Sequence, residues 1–205
     1  MKSISHIFIS ILLVVAMLLG WSCENEMDTQ LTSQQNAIKS YLGGQHKPRL
    51  IPEEEVSESL DEEPQFYTQW GLDAFRYIAT YYDEGRDSRT EITKGATIKI
   101  IYSAYVFTNG APSISALFAT NDPVNIEQMQ SLGLNTSYEW SSEPMEITLG
   151  KGELLSSLER AIIGCREGDS IEVYLTYVKS YGEKFIGLVP EKSSVVWFIN
   201  IQSVN

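Results

Sequence analysis

The sequence predicts an α+β domain: a twisted antiparallel sheet wrapped around one short helix, carried behind an N-terminal signal, a short helix and an acidic linker. Three observations predict it. Residues 97–107, 170–177 and 194–204 are rich in β-branched and aromatic residues, and 170–177 alternates clearly. "GELLSSLERAIIG", residues 152–164, instead places Leu154, Leu155, Leu158, Ala161 and Ile162 at helical spacing, with Gly164 as its stop. Strands followed by a lone helix and more strands, with no repeating strand–helix alternation, fit one antiparallel layer and one helix.

The elements follow in order. "MKSISHIFISILLVVAMLLGWSC" has Lys2 at its start, an apolar run from Ile7 to Leu19 and a cysteine where cleavage falls. The run is short for a membrane span and has the layout of a signal peptide, residues 1–22. Gly20-Trp21-Ser22-Cys23 resembles a loose bacterial lipobox, which makes Cys23 the expected lipidation site; an uncleaved signal anchor is the alternative. Glu24, Glu26 and Asp28 read either as a surface-export signal or as a solvated acidic tether. Residues 23–64 read as that tether, with a short helix over 32–42 capped by Thr32 or Ser33 and ended by Gly43-Gly44. "KPRLIPEEEVSESLDEEP" is polar, acidic and proline-bounded, so the folded domain is expected to span 65–205.

Within that domain "FYTQWG" and "AFRYIATYYDEG" predict two short strands, and "ATIKIIYSAYVFTNG" a long one closed by an Asn109-Gly110 hairpin signal. Residues 120–143 show little periodicity beyond a helical turn near Ile126 to Leu132. "PMEITLG", "DSIEVYLTYV" and "SVVWFINIQSV" are the remaining strands. In the second, Ile171, Val173, Leu175 and Tyr177 share one face and Glu172, Tyr174 and Thr176 the other.

Composition excludes several functions. The formal net charge of -12 sets nucleic-acid binding aside, because such a chain repels phosphate backbones. Of two histidines, His6 lies in the leader and only His46 remains, so the inventory argues against a zinc site and against a Ser-His-Asp triad. Cys23 and Cys165 are not expected to pair, and Cys165 reads as a small buried hydrophobe.

Residues 149–182, "LGKGELLSSLERAIIGCREGDSIEVYLTYVKSYG", carry a family likeness. Leu149-Gly150 precedes the helix, Gly164-Cys165-Arg166-Glu167-Gly168-Asp169 forms a turn, and a strand runs on to Tyr181-Gly182. Lys94-Gly95 lies upstream and Val189-Pro190 downstream. This order, over about residues 94–204, resembles the FKBP-type peptidyl-prolyl cis-trans isomerase domain. The resemblance implies catalytic positions at Tyr102, Tyr181 and Trp197. It implies a substrate-binding lining of Met145, Leu154, Leu155, Leu158, Leu188 and Val189, with no cofactor and no metal. It also implies proline-containing segments as partners; the lipobox around Cys23 makes these segments of envelope or exported proteins and places the chain, as an expectation, lipid-anchored in the cell envelope, on the periplasmic or the surface-exposed face of the outer membrane.

Three departures qualify the resemblance. One is the long 120–143 segment, which is expected either to cover the cleft or to extend the recognition surface. The family's pocket-floor tryptophan is Leu158 here, and its Phe-Asp pair is best matched by Ser113-Ile114-Ser115, which has no carboxylate. A catalytically silent peptide-binding module of the same fold is therefore the alternative to an isomerase.

Overall fold

The computed structural model describes residues 29–205. The signal peptide, Cys23 and the acidic residues that follow it lie outside the described residues. Eight strands form one sheet: β1 (Ile51–Pro52), β2 (Phe66–Trp70), β3 (Ala74–Ile78), β4 (Thr97–Phe107), β5 (Leu117–Thr120), β6 (Met145–Thr148), β7 (Ser170–Leu175) and β8 (Ser194–Val204). Their order is β1-β2-β3-β7-β8-β4-β5, with β6 pairing the first half of β4. All pairs are antiparallel except β1 with β2. The helices are α1 (residues 29–40, running into a wider turn over Tyr41–Gln45), α2 (Pro123–Ser131) and α3 (Ser156–Ile162).

The sheet buries both faces. On one, α3 packs Leu158, Ala161 and Ile162 against Ile98, Ile100, Val173, Leu175, Val195 and Ile199. This is the core that the strand alternation predicts. Opposite it lies a second core: Ile38, Tyr41, Leu42 and Leu50 against Tyr67, Phe75, Tyr77, Phe107, Tyr174 and Val196.

That second core corrects three expectations. The short helix does not end at Gly43-Gly44 but continues to Gln45. Residues 38–50 are part of the packed domain rather than a tether, and Ile51–Pro52 adds a strand to the sheet. Tyr174, placed by alternation on a polar face, has no exposed surface. A strand under helices on both sides has no polar face to show. The expected Asn109-Gly110 hairpin is also not tight: β4 and β5 are joined by residues 108–116, and their pairing carries a bulge at Ala104/Tyr105.

A buried polar cluster fastens the N-terminal segment. The His46 ring sits edge-on to Tyr41 and Tyr77. Its Nε2 lies 3.1 Å from Glu172 Oε2, and its Nδ1 meets the Pro48 carbonyl oxygen. The Tyr174 hydroxyl donates to Glu172 Oε2 at 2.6 Å. Both ring nitrogens of His46 face acceptors, which only the imidazolium satisfies. Burial pulls its pKa down, but Glu172 and the Pro48 carbonyl outweigh burial and hold it above 6.5. A raised folded-state pKa contributes stability that is full below the unfolded pKa of about 6.5 and is lost as pH rises through the folded value. Urea midpoints should therefore fall as pH is raised from about 6 toward 8.5, and His46→Gln should flatten that slope. An unchanged slope in the variant would remove His46 as its source.

Candidate functional site

Four rings gather on the α3 side of the sheet. Tyr102 of β4 stacks on Trp197 of β8, with centroids 5.3 Å apart and planes at 29°. The register explains this: Trp197 pairs with Ala104, so Tyr102 is its diagonal neighbour on the same face. Phe118 of β5 stands edge-on to Trp197 and to Tyr181, at 5.9 Å from each. Tyr102, Phe118, Met145, Leu154, Leu155 and Tyr181 are all partly buried against the first core.

Tyr181 is set by a tight turn. The Gly182 N–H donates to the Tyr177 carbonyl at 2.9 Å, with Gly182 at φ +65°. A loop then leaves, closes on itself through paired bonds between Ile186 and Val189, and returns where the Lys192 N–H meets the Gly182 carbonyl. Its tip exposes Phe185 and Ile186, while Val189 is a buried anchor. Helix α1 braces both roots of this loop. Gln30 and Gln34 donate to the Lys192 carbonyl at 3.0 and 2.7 Å, and Gln34 Oε1 accepts from the Tyr177 N–H at 2.9 Å.

A cavity of about 510 Å³ opens beside the rings. Tyr102, Phe118 and Met145 line its strand side. The long segment after α2 supplies the other wall, with Tyr138, Trp140 and Glu143. Asn121 joins the two. Its Oδ1 accepts from the Tyr102 N–H at 2.6 Å, and its Nδ2 donates to the carbonyls of Ile100 and Glu143 at 2.9 and 3.0 Å.

Of the expected site residues, Tyr102 and Met145 line this cavity; Tyr181 and Trp197 do not, and lie behind it in contact with Phe118, with Trp197 also stacked on Tyr102. Leu154 and Leu155 lie half-buried at the entry to α3. Leu158 and Val189 are corrections: neither has exposed surface, so they support the hollow from behind rather than touch an occupant. Leu188 is exposed on the loop and does not line this cavity. Phe118 is the residue that sequence reasoning missed. It touches Trp197 and Tyr181, whereas Ser113-Ile114-Ser115 lies in the connection before β5. Phe118 and its neighbour Ala119 line the cavity, so this part of the wall carries a ring and no carboxylate.

The chemistry available is non-covalent. Cys165 is fully buried, and burial pushes its thiol up to about 11, so it stays protonated and unreactive. No group of three or more metal-ligating side chains is found among the described residues. Burial also raises the hydroxyl pKa of Tyr102 and Tyr181. Both stay protonated across the physiological range, so each hydroxyl is available to donate a hydrogen bond.

The sequence matches the FKBP-type peptidyl-prolyl cis-trans isomerase family over residues 88–202. The chain belongs to that family. The FKBP-type match begins after β3, so α1 and β1–β3 are built from residues ahead of it. Among solved structures, the chain is similar to the N-terminal domain of FKBP42 from Arabidopsis thaliana, at 16% identity and a TM-score of 0.46, over 72% of this chain and 95% of that one. No curated protein matches the chain.

Proposed function

We propose that this FKBP-type domain isomerises X-Pro bonds in exported proteins and is held in the cell envelope by a lipid on Cys23. Rotation about an X-Pro amide is slow because resonance stiffens the C–N bond, with a barrier of ~18–20 kcal/mol. No bond need break. A site accelerates the reaction by binding the twisted amide better than the planar one. An apolar hollow disfavours the polar planar form, and one aimed donor holds the substrate carbonyl.

The observation that carries this reading is the ring cluster of Tyr102, Phe118, Trp197 and Tyr181 beside an open cavity. Tyr181 is the proposed carbonyl donor, Trp197 the rigid backing and Tyr102 the wall. An assay on Xaa-Pro peptides tests it. Wild type should exceed the uncatalysed rate, and Tyr181→Phe should lose roughly tenfold in kcat/KM, the value of about one hydrogen bond. An active enzyme unmoved by Tyr181→Phe would unseat that residue. Palmitate labelling that survives Cys23→Ala would remove the anchor.

The absence of a carboxylate at Ala119 and of a ring at Leu158 favours the second reading, a binding module without turnover. It is supported if peptides shift the NMR signals of residues around Phe118 while no rate appears above buffer.

A further inference from the structure

The wall after α2 differs in chemistry from the strand wall. Tyr138 and Trp140 stack on each other at 5.5 Å with planes at 29°. Glu139 and Glu143 line the cavity beside them, and no lysine, arginine or histidine does. Neither carboxylate makes an ion pair with another described residue. The strand wall offers Tyr102, Phe118, Ala119 and Met145, none of them charged at neutral pH.

The wall is held in position. The Asn121 bond to the Glu143 carbonyl pins its end to β4. The Tyr138 hydroxyl reaches the loop tip, 3.5 Å from where a side chain at Gly187 would begin. Gly187 sits at φ +57°, a backbone conformation that suits glycine there. The wall therefore spans from β4 to the tip of the Tyr181 loop.

A stacked ring pair flanked by two unneutralised carboxylates is suited to one kind of side chain. A lysine or arginine lays its aliphatic stem on the rings, directs its charge at their faces and takes the carboxylates as counter-ions. We propose that residues 138–143 are a specificity subsite that selects a cationic side chain flanking the proline. This rests on the cavity being the peptide site proposed above. The strand wall sets the proline, and the acidic wall sets the neighbour.

Peptides with Lys, Leu or Glu immediately before proline, and a matching series substituted immediately after it, test this on the 29–205 chain. The expected order is Lys, then Leu, then Glu in one series, with Lys over Glu by about tenfold at low salt. The ratio should shrink at about 1 M salt, where charges are screened beyond roughly 3 Å. It should also shrink in the Glu139→Gln, Glu143→Gln double variant, which leaves the ring pair in place. A ratio near one in both series, with the Leu peptide processed, overturns the subsite and leaves the isomerase reading standing. If peptides bind without turnover, the same ratio is read from Kd. If no proline peptide binds or turns over, the isomerase reading and the subsite fall together.

Discussion

Asp169→Ala is expected to cost about 3–5 kcal/mol of stability, against the roughly 5–15 kcal/mol that holds an ordinary domain folded. Asp169 is fully buried, and both its oxygens are committed. The Arg86 guanidinium donates to them at 2.8 and 2.7 Å in a fork, Thr80 donates at 3.0 Å, and the Arg166 N–H donates at 2.8 Å. The Asp169 carboxylate raises the Arg86 pKa, and Arg86 also lies over the Tyr81 ring at 5.1 Å. Removing the carboxylate leaves a guanidinium in a site with little water, and that orphaned charge is the main part of the loss. The arrangement ties the turn before β7 to the segment leading into β4, so the penalty falls on the sheet itself. Urea unfolding should show the midpoint dropping with little change in slope. Replacing both partners with apolar residues of similar volume should cost less than Asp169→Ala alone, because no unpaired charge remains. A double variant as unstable as the single one would mean that the Thr80 and Arg166 bonds carry the energy.

The second large effect concerns the N-terminal segment. A chain beginning at residue 51 loses Ile38, Tyr41, Leu42 and Leu50, each no more than 7% exposed. At about 1.5–3 kcal/mol per buried side chain, the loss is roughly 6–12 kcal/mol as an upper bound. That is comparable to the whole stability of an ordinary domain. The His46 contact with Glu172 goes as well. Relative to residues 29–205, the 51–205 chain should lose its near-ultraviolet circular dichroism and bind a hydrophobic dye. Melting within a few degrees of the longer chain would reduce α1 to an accessory.

These two regions differ in how far sequence could reach. The turn from Gly164 to Asp169 is legible locally, because glycines and an acid at fixed spacing punctuate a strand start. Its partner Arg86 is not, since the two are 83 residues apart and no pattern links them. Strands β4, β7 and β8 and helix α3 show themselves through short-range periodicity. The second core does not, because it depends on which face of the sheet the helix at 29–40 covers. Tyr174 illustrates the difficulty: beside Glu172 it fits a solvated face, yet it is sealed by Tyr41 and Phe107. An excess of aromatics on both faces of the strands, Phe75, Tyr77 and Phe107 among them, is the signal that could have revealed it.

Near the cavity, Tyr102, Met145, Tyr181 and Trp197 are reachable from sequence only through the family resemblance, which supplies their order along the chain. Phe118 escaped because its place depends on a connection of irregular length and a bulge, neither of which has a local signature. The long 120–143 segment stands out in the sequence as an addition that covers the cleft or extends the recognition surface, but it has no periodicity, so the placing of 138–143 depends on Asn121 and the loop tip.

The glutamine contacts of α1 couple distant parts of the molecule. Gln30 and Gln34 sit on the first described turns of the chain and grip Lys192 and Tyr177, the two ends of the segment that holds Tyr181. The position of the first helix is therefore written into the backbone at both ends of that segment, so a shift of α1 along its axis must be met by a change at Tyr177 or Lys192.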